Sequence, residues 1–215
     1  MPPCARRQGN RPPARHAISL QHSAKNPELL SPAALSRVRA GGKLPVMKTN
    51  VIGVRRAENR DAEAITTVHD SAWRYAYDGI IPAKELSRIV ARRGARWWDR
   101  AIRRGTAVLV LEVGGTICGY ATVGPNRARN LPQKGEVYEI YLKPEYQGVG
   151  LGTRLFLAAR RELARFGFDS VVVWALADND GACRFYRNAG GRKIARANER
   201  FGDVALTKIA YAWGR

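Results

Sequence analysis

With 215 residues, 45% of them hydrophobic, the chain is long enough for one domain with a sizeable core, and it holds no apolar run of the roughly eighteen residues a membrane helix needs. Its three cysteines, Cys4, Cys118 and Cys183, form no CxxC pair, which argues against a disulfide framework or a zinc site and fits a reducing, cytoplasmic setting with no metal. The net charge of +19 narrows the partners to nucleic acid, an anionic cofactor, or a basic tail with no ligand of its own.

Residues 1–46 supply part of that charge, with eight Lys/Arg against one acid, Glu28. The stretch PPCARRQGNRPPAR is rich in Pro and Arg, has no apolar period and reads as a disordered basic extension. It lacks the apolar segment of a signal peptide. Met47 opens a more regular phase and is a candidate native start. The rest of the chain remains basic in its own right.

GVRRA then reads as a first strand. ENRDAEAITTVHDSAWRYAY carries helix signals: Asn59 or Asp61 as cap, Glu63 in the first turn, and Ile65, Val68, Ala72 and Trp73 near helical spacing. KELSRIVARRGARWWDRAIRR is a second helical region, interrupted at Gly94. TAVLVLEVGGTICGYATVG places two β-rich runs around Gly114-Gly115, a tight-hairpin signal. After the loop PNRARNLPQKG come the strand EVYEIYL, a glycine-rich turn, the helix TRLFLAARRELARFG, the strand SVVVWAL and the short helix in DNDGACRFYRNAGG. RKIARANERFGDVALTKIAYAW closes the chain as two strands. This order predicts an α/β domain over residues 52–215, with a mixed, mostly antiparallel sheet of six to seven strands and helices on both faces. The unit from Val137 to Leu176 is the expected parallel crossover.

The turn QGVGLGT raises the chemical question. A helix N-terminus has unpaired N–H groups and a dipole that favours anions. Gly148, Gly150 and Gly152 remove side chains there, so a pyrophosphate can approach the main chain, and Thr153 adds a hydroxyl. The residues after Gly152 are Thr153 and Arg154, which excludes the P-loop pattern. The GxGxG spacing, set off from its strand by KPEYQ, fits a dinucleotide fold poorly even with Asp169 downstream.

QGVGLG resembles the Q/R-x-x-G-x-G/A signature of the GNAT superfamily of N-acetyltransferases, and IYLKPEY resembles the end of that family's fourth strand. NDGACRFYRNAGG resembles its next motif, through Asn179, Ala182, Phe185, Tyr186 and Gly190. The resemblance implies transfer of an acetyl group from acetyl-CoA to a primary amine, by direct attack in a ternary complex. It implies that main-chain groups of Ile140, Tyr141 and Leu142 hold the pantetheine arm, that Gln147, Gly148, Val149, Gly150, Leu151, Gly152 and Thr153 form the pyrophosphate turn, that Asn179 points at the arm, and that Tyr186 lies near the thioester sulfur. Tyr186 is then the candidate acid and Glu139 the candidate base, ahead of Glu136. Strand alternation puts Val137, Glu139 and Tyr141 on one face.

The aromatics Trp73, Tyr75, Tyr77, Trp97 and Trp98 read mainly as core, beside a slot for the acceptor, and His69 as a packed or exposed residue rather than a base. The acceptor is a small-molecule or protein amine, and the family resemblance makes a homodimer an oligomeric state to test. Two other readings compete: an acyl-CoA-binding sensor of the same fold without catalysis, and a nucleic-acid-binding protein. No basic motif interleaved with aromatics supports the second.

Overall fold

The computed structural model describes residues 52–214; the basic extension, its expected disorder and the candidate start at Met47 lie outside the described residues. Its elements follow the expected order. Strand β1 (Ile52–Arg56) leads into helices α1 (Ala62–Tyr77), α2 (Ala83–Ala91) and α3 (Ala95–Arg103). Strands β2 (Ala107–Val113), β3 (Thr116–Pro125) and β4 (Gly135–Leu142) follow, then α4 (Leu151–Arg165), β5 (Val171–Leu176), α5 (Asp180–Asn188), β6 (Arg192–Phe201) and β7 (Val204–Trp213). The break between α2 and α3 ends at Gly94, whose extended backbone restarts the helix. Gly114 and Gly115, at φ 58° and 81°, close the β2–β3 hairpin in the left-handed geometry that two-residue loops favour.

The seven strands form one sheet in the order β1-β2-β3-β4-β5-β7-β6. Every neighbouring pair is antiparallel except β4 and β5. One face buries Leu109, Leu111, Val137 and Val173 under Leu155, Phe156, Ala159 and Leu163 of α4, with Cys183 and Tyr186 of α5 in the same core. The other face buries Val108, Val110 and Tyr120 under Ile65 and Val68 of α1 and Trp98 of α3. These helical residues recur every three or four positions, so each helix turns one apolar stripe to the sheet. Val171, Val172 and Val173 are buried in succession, as a strand covered on both sides requires.

Two local expectations are corrected. Asp61 does stand at the N-cap of α1, but its side chain does not cap that helix. Its carboxylate instead accepts from the Glu58 amide at 2.7 Å and from the Arg55 guanidinium at 2.6 Å, a charge-assisted pair that turns it away from the helix. Strict alternation in β4 also fails. The register with β3 passes from Thr122↔Glu139 to Val123↔Val137, so Tyr138 is an extra residue in a bulge. Val137 therefore joins Ile140 and Leu142 on the α4 face, while Tyr141 packs with the α1 face. The Glu139 side chain meets Tyr120 of that second face.

Candidate active site

The glycine turn is built as an open main-chain cradle. Gly148 and Gly150 take φ 79° and 85°, and a Cβ at either would meet nothing within 4 Å. The glycines therefore serve backbone conformation, and the space above them is free for a ligand. Gly150 caps α4, and Leu151, only 8% exposed, anchors the first turn in the core. Val149 stands 71% exposed at the tip, and Thr153 is exposed one turn along. The Gln147 side-chain Nε2 donates to the Leu142 carbonyl at 3.1 Å, tying the turn to the end of β4 and occupying one lone pair of Leu142. At Gly152 a Cβ would touch the Phe185 ring at 3.4 Å, so this glycine also lets α4 lie close to α5.

The parallel ladder between β4 and β5 covers Gly135↔Val171, Glu136↔Val172 and Val137↔Val173, then stops. Beyond it the strands part. Ile140, Tyr141 and Leu142 keep their pairing with β3 but have no ladder partner on the β5 side. The main-chain groups there that face the β5 side and the cradle both lie at the C-terminal end of β4. That combination suits a long amide-bearing arm with a pyrophosphate at one end.

On the α1 face, Glu139 is 10% exposed and forms an ion pair with Arg93, from the turn between α2 and α3. Its other oxygen accepts from the Tyr120 hydroxyl at 3.2 Å. Tyr120 in turn meets His69 Nδ1 at 2.8 Å, and Tyr77 meets Tyr141 hydroxyl to hydroxyl at 2.8 Å. Burial pushes the Glu139 carboxyl above its ordinary pKa, against the lowering pull of Arg93 and Tyr120. A carboxylate raised this way is a better proton acceptor near neutral pH. Glu136 is a different case. It is 3% exposed, and both its oxygens are taken by Arg127 and that residue's own amide.

Tyr186, on α5, lies in the opposite core, 6% exposed, among Phe156, Phe185, Tyr211 and Trp213. Its hydroxyl makes no hydrogen bond among the described residues, and burial drives its pKa well up, with Tyr77 adding to the rise. The phenol stays protonated and is a donor without an acceptor among the described residues. Gly191 seats it: a Cβ there would lie 2.5 Å from the Trp213 ring and 2.8 Å from the Tyr186 carbonyl. Asn179 caps α5, its side-chain oxygen accepting from the Ala182 amide at 3.0 Å. The side-chain NH₂ of Asn179 has no partner among the described residues.

Sequence reasoning named Glu139 but missed its companions. Arg93 lies 46 residues away and Tyr120 lies 19, and no local pattern links either to β4. His69 is fully buried, in line with packing, yet its bond to Tyr120 gives it a polar role. Trp98 is core and Trp73 is half-buried, whereas Tyr75 is 63% exposed and lines no core. Among the described residues no cluster of His, Cys, Asp or Glu suited to a metal ion occurs, and no helix is long and apolar enough to cross a membrane.

The family model described as Acetyltransferase (GNAT) family matches residues 65–190, a span that contains both the cradle and Tyr186. The chain is 30% identical over 163 residues to the uncharacterized N-acetyltransferase YuaI of Bacillus subtilis, covering 76% of this chain and 93% of that protein. It is 31% identical over 134 residues to the mycothiol acetyltransferase of Pseudarthrobacter chlorophenolicus, spanning only 39% of that longer protein. In fold it resembles the PaiA N-acetyltransferase of Thermoplasma acidophilum in complex with coenzyme A, with a TM-score of 0.60 at 18% identity over 76% of this chain and 99% of that one.

Proposed function

The chain belongs to the GNAT acetyltransferase family, and on that footing we propose that it carries an acetyl group from acetyl-CoA to a primary amine by direct attack. The observation that carries this reading is the parting of β4 from β5 beside the open glycine cradle. Bound acetyl-CoA supplies an acetyl group already activated as a thioester. The main-chain amides from Gly148 to Thr153 hold its diphosphate, and the main chain of Ile140 and Tyr141 holds the amide-bearing arm. Leu142 contributes through its remaining groups, and Asn179 through its free NH₂.

The chemistry then divides between the two faces of the sheet. An amine attacks only as its free base, so Glu139 takes a proton from the acceptor, directly or through water. A main-chain N–H at the parting of the strands steadies charge that develops on the thioester oxygen. Tyr186 donates a hydrogen bond to the departing sulfur. Its raised pKa keeps the phenol protonated, so it acts on the thiolate as a hydrogen-bond donor. Binding both partners side by side removes much of the entropic barrier without a covalent enzyme intermediate.

The acceptor class in this proposal is a small-molecule or protein amine, and a cytoplasmic setting accords with the free thiols of Cys118 and Cys183. One observation favours the sensor reading as a second possibility: the Arg93 ion pair competes with any proton for Glu139. Calorimetric titration with acetyl-CoA, followed by a thiol-release assay over a panel of amines, separates the two. Saturable uptake with amine-dependent release supports transfer. Uptake without release for any amine supports the sensor, and absence of uptake removes both.

A further inference from the structure

We propose that His69 and Tyr120 form a one-way hydrogen-bond chain that keeps Glu139 ionised and aimed for proton capture, a role that rests on the base assignment above. His69 and Tyr120 have no solvent exposure, so water cannot substitute for either. The links are direct: His69 Nδ1 to the Tyr120 hydroxyl at 2.8 Å, and that hydroxyl to Glu139 at 3.2 Å.

A phenol has one proton, so it can serve Glu139 or His69 but not both. The far side of the imidazole decides which. His69 Nε2 is buried and unpartnered, and so are the indole N–H groups of Trp73 and Trp98. Both indole rings crowd His69, with centroids 5.3 and 5.9 Å from its own. Indoles only donate. A lone pair on Nε2 is therefore better matched to these surroundings than a third unanswered N–H. His69 then carries its proton on Nδ1 and donates it to the Tyr120 oxygen, and Tyr120 sends its own proton to Glu139.

His69 does not end the chain as a cation. Burial, helped by the charge of Arg93, lowers its pKa to about 3. His69 and Tyr120 are thus positioning residues, acting through Glu139. Other groups also face Glu139 or act on its charge: Arg93 from the α2–α3 turn, Arg127 from the β3–β4 loop, Tyr77 from α1, and Tyr141 from its own strand. Arg93 is 30% exposed and open to exchange with ions in solution. The Tyr120 bond is sealed from solvent and is the constant part of the arrangement.

The test reads the chain apart from catalysis. In the unaltered protein, ¹⁵N spectra of His69 are expected to show Nδ1 protonated and Nε2 bare; a protonated Nε2 overturns the direction of the chain. In Tyr120→Phe, a ¹³C titration of the Glu139 carboxyl and the acidic limb of kcat/KM are expected to rise together by about one pH unit, because the ionised form loses a donor. His69→Asn keeps a short N–H donor and is expected to titrate like the parent, whereas His69→Leu shifts in the direction of Tyr120→Phe. If the carboxyl titration is unmoved in Tyr120→Phe, the chain is refuted while the base assignment stands. If Glu139→Gln keeps full activity, the base assignment fails, and the ¹⁵N and ¹³C measurements still decide whether the chain exists.

Discussion

Arg93, in the turn between α2 and α3, closes an ion pair on Glu139 in the middle of β4. It also stacks on Trp97, with its guanidinium carbon 4.9 Å from the ring centroid. The pair joins the helical layer to the sheet at the one carboxylate proposed to move protons.

Removing the cation exposes the cost of that arrangement. Arg93→Met leaves a nearly buried carboxylate without its main counter-charge. A fully buried pair broken this way costs about 3–5 kcal/mol, and the partial exposure of Arg93 lowers the expected loss to about 2 kcal/mol at pH 8. Arg93 holds the Glu139 pKa down, so its loss raises it further. The penalty therefore shrinks as pH falls and Glu139 becomes neutral. Urea unfolding at about pH 8 and pH 5 measures this; an equal loss at both would show that Arg93 acts by packing alone.

The glycine turn predicts opposite signs for stability and binding at one position. Gly152 lies in the first turn of α4, and an added methyl would meet Phe185 at an ordinary contact distance of 3.4 Å. Gly152→Ala is expected to raise stability by up to about 1 kcal/mol through helix propensity. It is also expected to weaken acetyl-CoA binding by about tenfold, because the methyl stands where main-chain amides meet the diphosphate. Thermal melts and calorimetry read the two effects separately. Unchanged affinity would remove Gly152 from the cradle.

Tyr186 offers a cleaner separation of chemistry from folding. Its hydroxyl has no partner among the described residues, so Tyr186→Phe is expected to change stability by less than about 1 kcal/mol. The same change is expected to lower kcat by about ten- to one hundred-fold, with little effect on acetyl-CoA affinity. A variant with undiminished kcat at saturating substrates would assign Tyr186 to packing.

His69 makes the fold acid-sensitive. Its folded pKa lies near 3, against 6.5 in an ordinary setting. The unfolded chain takes up a proton as pH falls through 6.5, and the folded chain does not until about pH 3. Its contribution is thus full above pH 6.5 and is lost progressively below it, by at most about 1.4 kcal/mol per pH unit. His69→Asn is expected to flatten the slope of stability against pH between neutrality and about pH 4. Parallel slopes in urea midpoints would contradict the assignment.

Local sequence determined much of this protein. Paired glycines at 114 and 115, helical spacing in α1 and α4, and the run Val171–Val173 each act over a few residues, so the element order and the sheet's two-sided cover were legible without coordinates. The backbone of the glycine turn was legible for the same reason, since left-handed conformation at Gly148 and Gly150 is a property of the residue itself. Alternation misread Val137, because the bulge at Tyr138 arises from pairing with β3 and leaves no mark in β4 alone. Only the tertiary structure brought Arg93, Tyr120 and His69 around Glu139, and only it parted β4 from β5. Charges and hydrogen bonds between residues 19 to 51 positions apart depend on how sheet and helices stack, and no local pattern encodes that distance.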